Sequence, residues 1–516
     1  MFEGFSPSRS RSPSAPLLTL QGAFAGTRSP GTRKGKEKAL NTDLVEGVEG
    51  EMVTTSDDAR KGLRELVRRS TMGGQRPLLR GDESRAVSIE GAFMSRVCNF
   101  VSVSSSDRAY TPRRYYILTN AGKPVFSSHS DTEEDISNLM AVAQALISIF
   151  AEDDDRLRSI RRGDKRIVFL LKAPLYMVCV SDWGEPENVL RVQLDYIYLQ
   201  VLSVATSTQL ARAFQRRSNF DPTRLLEGTD QFLHNLIARS QHDFSYLTST
   251  LQPLRMAPAL REAAAAALMP PSRIQDLLYV LLVAGGRIVT LLRPRKHAVH
   301  PSDLHLLLNM LDTSKTLRSS EAWVPICLPK FNPAGFVHAY VDFPLPDVGL
   351  LFVSADREAF DVLRAWKKVV VEKLQMDDTL GKIRDSIPYH EYSISALGCP
   401  GLRHFIYKSR QLVQITMPEW EESYEPDGPD RKRIITTYQC LHDAVHARSG
   451  QSTPLKLVYT RSDQEACLAW FTKPFEMYLT VPPHLPKSVV VSVANAVFKW
   501  VQAEEGKLFL KDAPVF

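Results

Sequence analysis

The 516-residue chain holds only six cysteines, and no two of them form a C-x-x-C pair. Cys98, Cys179, Cys327, Cys399, Cys440 and Cys467 are scattered, which excludes a small disulfide scaffold and reads as reduced, intracellular thiols. Long apolar runs are lacking too. No stretch of about 18 apolar residues stands out, so a bilayer-spanning segment is not expected. Residues 17–20 are a short apolar patch among Ser, Pro and Arg, which does not read as a signal peptide. A soluble or peripheral protein is expected. Charge of one sign is also scarce, since 64 Lys and Arg against 58 Asp and Glu leave +6. That excess is too small to imply nucleic acid. A local cluster would still suit an anionic membrane surface.

Signatures of bond-making chemistry are absent as well. Gly122-Lys123 fails as a phosphate loop, because Ile117 stands where a Gly belongs and Pro124 where Ser or Thr belongs. Gly285-Gly286 lacks G-x-G-x-x-G, and no G-x-S-x-G elbow occurs. His442 and His446 stand four apart with Cys440 nearby, but Asp443 replaces the Glu of H-E-x-x-H. A third and fourth metal ligand are not visible, so a solvated helix face is expected, with no metal and no cofactor. The Asp153–Asp155 trio lacks a calcium-loop pattern and reads as a solvated helix end. Tyr196, Tyr198, Trp366 and Trp500 sit on apolar helix faces and read as core. No catalytic residue is assigned. Recognition is favoured over chemistry.

What is present is ordinary globular material, 44% hydrophobic and 24% charged, enough for about three domains. Residues 1–110 differ, being rich in Ser, Arg, Gly and Pro, and are expected to form a disordered basic arm. Up to Leu40 the arm carries seven basic and two acidic residues, with Ser-Pro pairs at Ser6, Ser12 and Ser29 as candidate phosphorylation sites. Within it, 57–70 could form a short amphipathic helix with Leu63, Leu66 and Val67 on one face.

From Arg113 the pattern is an apolar run, a Gly turn and a second apolar run, which is a β-hairpin. Ser130 and Glu133 fit a capping box, and Ile136, Leu139, Met140, Ala143, Ile147 and Phe150 follow at helical spacing. KRIVFLLKAPLYMVCVSD gives two strands. A long helix follows from about Glu185–Glu187, with helical patterns at 208–217 and 223–238. The hairpin recurs at 277–294 and at 402–418. First helices (303–311 and 432–447), further strands and closing helices (356–374 and 487–502) follow each. The order β-β-α-β-β-β-α is used three times. It predicts an α+β fold of three tandem layered domains, each an antiparallel sheet flanked by helices. Expected boundaries are 111–250, 273–398 and 399–516. Residues 251–272 would be a linker with a short Ala-rich helix, and 418–433 an exposed charged insertion.

The unit resembles a longin domain, and three in tandem resemble the triple-longin exchange factors. RRYYILTNAGKPVFSS, RSIRRGDKRIVFLLKAPLYMVCVS and ENVLRVQLDYIYLQVLSVAT are similar to the vacuolar fusion protein Mon-one family. So are GGRIVTLLRPRKHAVHPSDLHLLLNML, WVPICLPKFNPAGFVHAYV and YTRSDQEACLAWFTKPFEMYLTVPP, so the resemblance covers about 110–516. It implies a heterodimer with a second triple-longin protein, Ccz-one. That pair would act as guanine nucleotide exchange factor for the late-endosomal or vacuolar Rab GTPase, the seventh of its series. An upstream endosomal Rab and phosphatidylinositol 3-phosphate would recruit it to late endosome, multivesicular body and vacuole membranes. The implied processes are endosome maturation, vacuole fusion and autophagosome maturation.

Within the family-matching first unit, His129, Asp131, Glu133, Glu134 and Asn138 are the candidates for contact with GTPase or partner. Ordinary helix capping is the alternative for them. For an anionic headgroup the candidates are Arg293, Arg295, Lys296 and His297 in RPRKHAVH, with Arg431, Lys432 and Arg433 as a second cluster. A solvated loop is the alternative for the first cluster. Two other functions remain open: a longin-type adaptor or tether without exchange activity, and an enzyme whose site would show as a pocket of convergent titratable groups.

Overall fold

The computed structural model describes residues 110–129, 132–217, 220–447, 454–511 and 514–515. Residues 1–109 of the expected basic arm, with its 57–70 helix and its Ser-Pro sites, lie outside the described residues, whereas Tyr110 is buried against Trp183. The remainder forms three units with one plan.

The first unit runs β1 (Arg114–Thr119), β2 (Pro124–Ser127), α1 (Glu133–Glu152), β3 (Ser159–Arg162), β4 (Lys165–Lys172), β5 (Leu175–Ser181) and α2 (Glu187–Val204). Its sheet is antiparallel in the order β2-β1-β5-β4-β3. Both faces are covered, as β1 shows residue by residue. Tyr115 and Ile117 enter the apolar cluster under α2, while Tyr116 and Leu118 enter the cluster under α1. The period of two in strand side chains sets this division.

Helix α1 does not start at the expected Ser130 box, and Ser130 lies outside the described residues. Thr132 is the N-cap. Its hydroxyl accepts from the Asp135 amide at 3.2 Å and donates to the Asp135 carboxylate at 2.6 Å. A Thr here satisfies an orphan amide of the first turn as well as the expected Ser would. Four short helices close the unit: α3 (Ser207–Arg216), α4 (Thr223–Leu226), α5 (Asp230–His242) and α6 (Phe244–Thr248). The single helix expected over 223–238 is broken because Gly228 takes a φ of +78°. That left-handed conformation ends a helix at little cost for glycine alone.

Residues 251–272 do hold the Ala-rich helix, α7 (Pro258–Ala267), but they are more than a tether. Leu254, Met256, Ala264 and Leu268 enter the core of the second unit. The buried Arg261 guanidinium donates to the carbonyls of Leu254 at 2.6 Å, Phe509 at 2.8 Å and Gly506 at 3.0 Å. It thereby caps the last helix of the chain. Burial without a counter-charge pulls its pKa down to about 10.

The second unit comprises β6 (Leu277–Ala284), β7 (Arg287–Leu292), α8 (Pro301–Thr313), α9 (Lys315–Ser319), β8 (Ala322–Ile326), β9 (Val337–Leu345), β10 (Val348–Ser354), α10 (Phe360–Met376) and α11 (Thr379–Ser386). Gly285 and Gly286 turn its hairpin with φ of +55° and +71°, as a two-residue connection demands. The third unit comprises β11 (His404–Ser409), β12 (Gln414–Thr416), α12 (Pro429–His446), β13 (Leu457–Arg461), β14 (Ala466–Phe471), β15 (Phe475–Val481) and α13 (Lys487–Leu508). The sheet orders are β7-β6-β10-β9-β8 and β12-β11-β15-β14-β13, the first unit's order repeated. Helix α11 is an addition that the threefold pattern did not anticipate.

The first unit holds the other two through α2 and the helices after it. Tyr196 accepts from the Ser302 hydroxyl at 3.0 Å, and Gln200 accepts from the Asn309 amide at 2.9 Å. Further along, Val189, Phe244 and Leu247 pack into the apolar cluster of α12. Tyr196 and Trp366 are buried and Tyr198 and Trp500 partly so, in line with the core reading.

Candidate docking face on the first helix

The first helix of each unit occupies the same place, yet the three differ in what covers them. Nine of the thirteen residues of α8 are buried, and eleven of the eighteen of α12. Of the nineteen residues 134–152 of α1, only Met140, Ala143 and Ile147 are. Those three press on the sheet through Tyr116, Leu118, Phe169 and Val178.

The opposite side of α1 is exposed and apolar. Val142 is 58% exposed, and Ala141 and Ala145 are exposed beside it. Leu139, Leu146 and Ile149 are half-buried at the flanks. By length and composition alone, 134–152 could cross a membrane, with a mean hydropathy of 1.2, a qualification of the sequence expectation. Its inner residues pack on the sheet, so the apolar excess lies on the outer side.

Glu134 and Asn138 are exposed and follow the same outward stripe, four residues apart and four before Val142. The structure thus adds an apolar body to two of the polar contact candidates. His129 is half-buried and sits beside the helix start, with its Nδ1 2.9 Å from the Ser128 hydroxyl. Asp131 and the Glu133 side chain lie outside the described residues. Sequence reading placed Ile136 to Phe150 on a core face and passed over Val142 and Ala145. The available signal was that apolar residues go nearly all round the helix, which demands cover on both sides.

The two cationic clusters fare differently. Arg295, Lys296 and His297 are exposed in the turn after β7, and Arg293 is half-buried, its amide donating to the Pro514 carbonyl at 3.3 Å. Neither Arg295 nor Lys296 has an ion-pair partner among the described residues.

The second cluster is built into the fold. The Arg433 guanidinium forms a bidentate pair with Glu465 at 2.7 and 2.9 Å and a further contact with Asp430. Burial alone would lower its pKa, but these carboxylates outweigh it and hold the pKa above its ordinary value. Arg431 lies over the Trp420 ring at 5.0 Å, and desolvation lowers its pKa. Lys432 lies over Trp183 at 5.4 Å. These cations are occupied by neighbours that the sequence does not place next to them. The insertion 418–433 is correspondingly tied down, with Trp420 stacked on His404 at 3.8 Å and Tyr424 buried.

The solvated face expected for His442 and His446 is overturned. His442 is 1% exposed, and His446 reaches the buried Glu476 at 3.1 Å. Helix α12 turns this side toward its own sheet and toward Phe244, so the pair is an inner feature. Sequence reading also missed Arg113, fully buried with its Nε 2.8 Å from Glu185 and its guanidinium 3.8 Å over Trp183. A charged edge also went unremarked: Arg156 and Arg158 just before β3, and Arg162 and Lys165 at the turn between β3 and β4, are all exposed.

Models of the first, second and third longin domains of FUZ, MON1 and HPS1 match residues 113–236, 275–372 and 401–505. Vacuolar fusion protein MON1 of Cryptococcus neoformans var. neoformans serotype D (strain B-3501A) is 63% identical over 488 residues, spanning 94% of this chain and 78% of the relative. Vacuolar fusion protein MON1 homolog A of Gallus gallus is 33% identical over 506 residues, spanning 96% and 88%. Protein SAND of Takifugu rubripes is 35% identical over 400 residues, spanning 77% and 76%.

Proposed function

The chain belongs to the MON1 family of vacuolar fusion proteins, and from that premise we propose that it is one subunit of a heterodimeric guanine nucleotide exchange factor. The membership itself carries a role in vacuolar and endosomal trafficking. The substrate is the late-endosomal or vacuolar Rab GTPase, the seventh of its series, and the partner is a Ccz-one-like triple-longin protein. A Rab grips its nucleotide through a phosphate loop, Mg²⁺ and ordered switch segments. An exchange factor needs only to bind the nucleotide-free state more tightly than the loaded one. Rigidly presented surface is sufficient for that, without a nucleophile or base.

The observation that carries the reading is the outer face of α1. It is apolar at Ala141, Val142 and Ala145 and polar at Glu134 and Asn138, while its counterparts α8 and α12 are covered from within the chain. An exposed apolar patch with a polar rim is the usual mark of a protein contact. Release of a labelled guanine nucleotide from the purified Rab, with and without the two-chain complex, tests it. The complex speeds release, and Val142→Glu with Ala145→Glu abolishes co-purification of the partner and returns release to the intrinsic rate. An intact variant complex with unchanged release would refute the assignment. An intact wild-type complex that leaves release unaltered would instead establish the adaptor reading.

Recruitment by anionic lipid, including phosphatidylinositol 3-phosphate, is assigned to Arg295 and Lys296, with His297 and Arg293 beside them; an upstream endosomal Rab supplies a second attachment. Each exposed cation near a charged leaflet contributes about 1 kcal/mol. Replacing Arg295 and Lys296 by Ala therefore weakens binding to liposomes carrying the 3-phosphoinositide, and the lost portion is the salt-sensitive one. Unchanged liposome binding would move the lipid contact elsewhere.

A further inference from the structure

We propose that His442, His446 and Glu476 form a three-ligand site for a divalent transition metal, zinc above all, inside the third longin domain. The two histidines project from one side of α12, a helical turn apart, and Glu476 arrives from β15 beneath them. One donor atom from each lies within 4.8 Å of the other two, the one such trio of His, Cys, Asp or Glu side chains among the described residues. His446 Nε2 is already 3.1 Å from Glu476 Oε2. Zinc bonds of about 2.0–2.2 Å to nitrogen and oxygen place tetrahedral ligands about 3.5 Å apart, so small ring rotations close the set.

The surroundings divide the carboxylate in two. Its Oε1 faces Lys408 Nζ at 3.2 Å and Arg410 Nε at 3.5 Å. Its Oε2 faces His446 and accepts from the Tyr478 hydroxyl at 3.4 Å. One oxygen thus faces two cations outside the site while the other points at the imidazoles. Burial works against its charge, and the adjacent Lys408 and Arg410 favour the ionised form. Glu476 and His442 are each 1% exposed, whereas His446 is partly open. The partly exposed His446 side is where a metal would enter and a water would complete the set as fourth ligand.

Two imidazoles and one carboxylate suit zinc better than calcium or magnesium, which take oxygen. The competing cations Lys408 and Arg410 weaken affinity relative to an all-neutral pocket, since they repel a second cation. The consequence for the fold is a staple between α12 and β15. It would lie beneath the seam to the first domain, where the Phe244 ring stands edge-on to His442 at 5.7 Å. Metal binding at this site would be independent of exchange activity.

The purified chain with its partner, freed of metal by a chelator, is titrated with zinc against a chromophoric competitor, and with cobalt while its visible absorption is recorded. One saturable equivalent is expected, with cobalt bands of a four- or five-coordinate nitrogen and oxygen set. His446→Ala, at the partly open ligand, loses more than about 100-fold in affinity, beyond what changes around a ligand cause. Lys408→Met acts in the opposite direction, tightening binding by about 10-fold because a repelling charge is gone. The pair of opposite effects separates this site from surface binding. Absence of a saturable equivalent, or an affinity indifferent to both substitutions, overturns the proposal and leaves the cluster as an ion-pair network.

Discussion

Helix α1 and helix α8 are the same element of the same module, and they differ in what they face. Helix α8 is pressed between its sheet and the first domain. Asn309 donates to Gln200 and to the Phe232 carbonyl and accepts from Asn235, and Asp312 pairs with Arg239. Helix α1 has cover on the sheet side only. The same holds against α12, which Phe244 and Leu247 roof over. A first helix in this fold is therefore built to be sandwiched. In the second and third domains the chain supplies the outer layer itself, and in the first it does not. The domain that lends its α2, α5 and α6 to cover its neighbours is the one whose own α1 stays open. That asymmetry is what supports the proposed partner chain as the outer layer of α1.

Stability should split along this line. Leu307, on α8, is 3% exposed within the apolar cluster beneath that helix. Leu307→Ala costs about 2–5 kcal/mol, the range for emptying a buried leucine site. Val142→Ala, on the outer side of α1, changes the stability of the isolated chain by no more than about 0.5 kcal/mol. Urea unfolding of the two variants checks both. Comparable losses would mean that α1 is already covered within the chain, and the case for a missing layer would fall.

Much of this was legible in the sequence because periodicity is a local property. Strand β1 is a short apolar run ahead of a Gly turn and α10 repeats at helical spacing, whatever they pack against, so the threefold plan could be read directly. Which neighbour covers a face is not local. The outer residues of α1 are as apolar as inner ones, and no spacing rule says that Val142 meets solvent while Asn309, on α8, meets the first domain. The same limit hid the third member of the proposed metal site. His442 and His446 advertise themselves by spacing, but Glu476 lies 30 residues on, and only the packing of α12 on β15 brings it near. Arg431 and Arg433 misled for the converse reason. A basic run looks free until Trp420 and Glu465 are placed beside it.

The covered seam should also reveal itself through pH. His305, on α8, is buried, stacks on Tyr246 at 4.2 Å between ring centres, and has its Nε2 2.7 Å from the Thr250 carbonyl. Burial pulls its pKa from 6.5 down to about 4. Asp243 and the Thr250 carbonyl oppose that shift, and Arg239 and His300 add to it. Between those two values the unfolded chain takes up a proton that the folded chain refuses. The neutral-histidine contribution is thus whole above pH 6.5 and is lost progressively as pH falls toward 4. At pH 5 the loss is about 1–2 kcal/mol relative to pH 7. His404, buried against Trp420 and lowered to about 3 by burial, adds a loss of the same sign, so His305→Gln flattens only part of the profile. Urea midpoints at pH 7 and pH 5 for the native and His305→Gln chains measure that part. An unchanged pH slope in the variant would show that His305 gains protons freely. The seam over α8 would then be as open to water as the outer face of α1, and the contrast between the two helices would lose its basis.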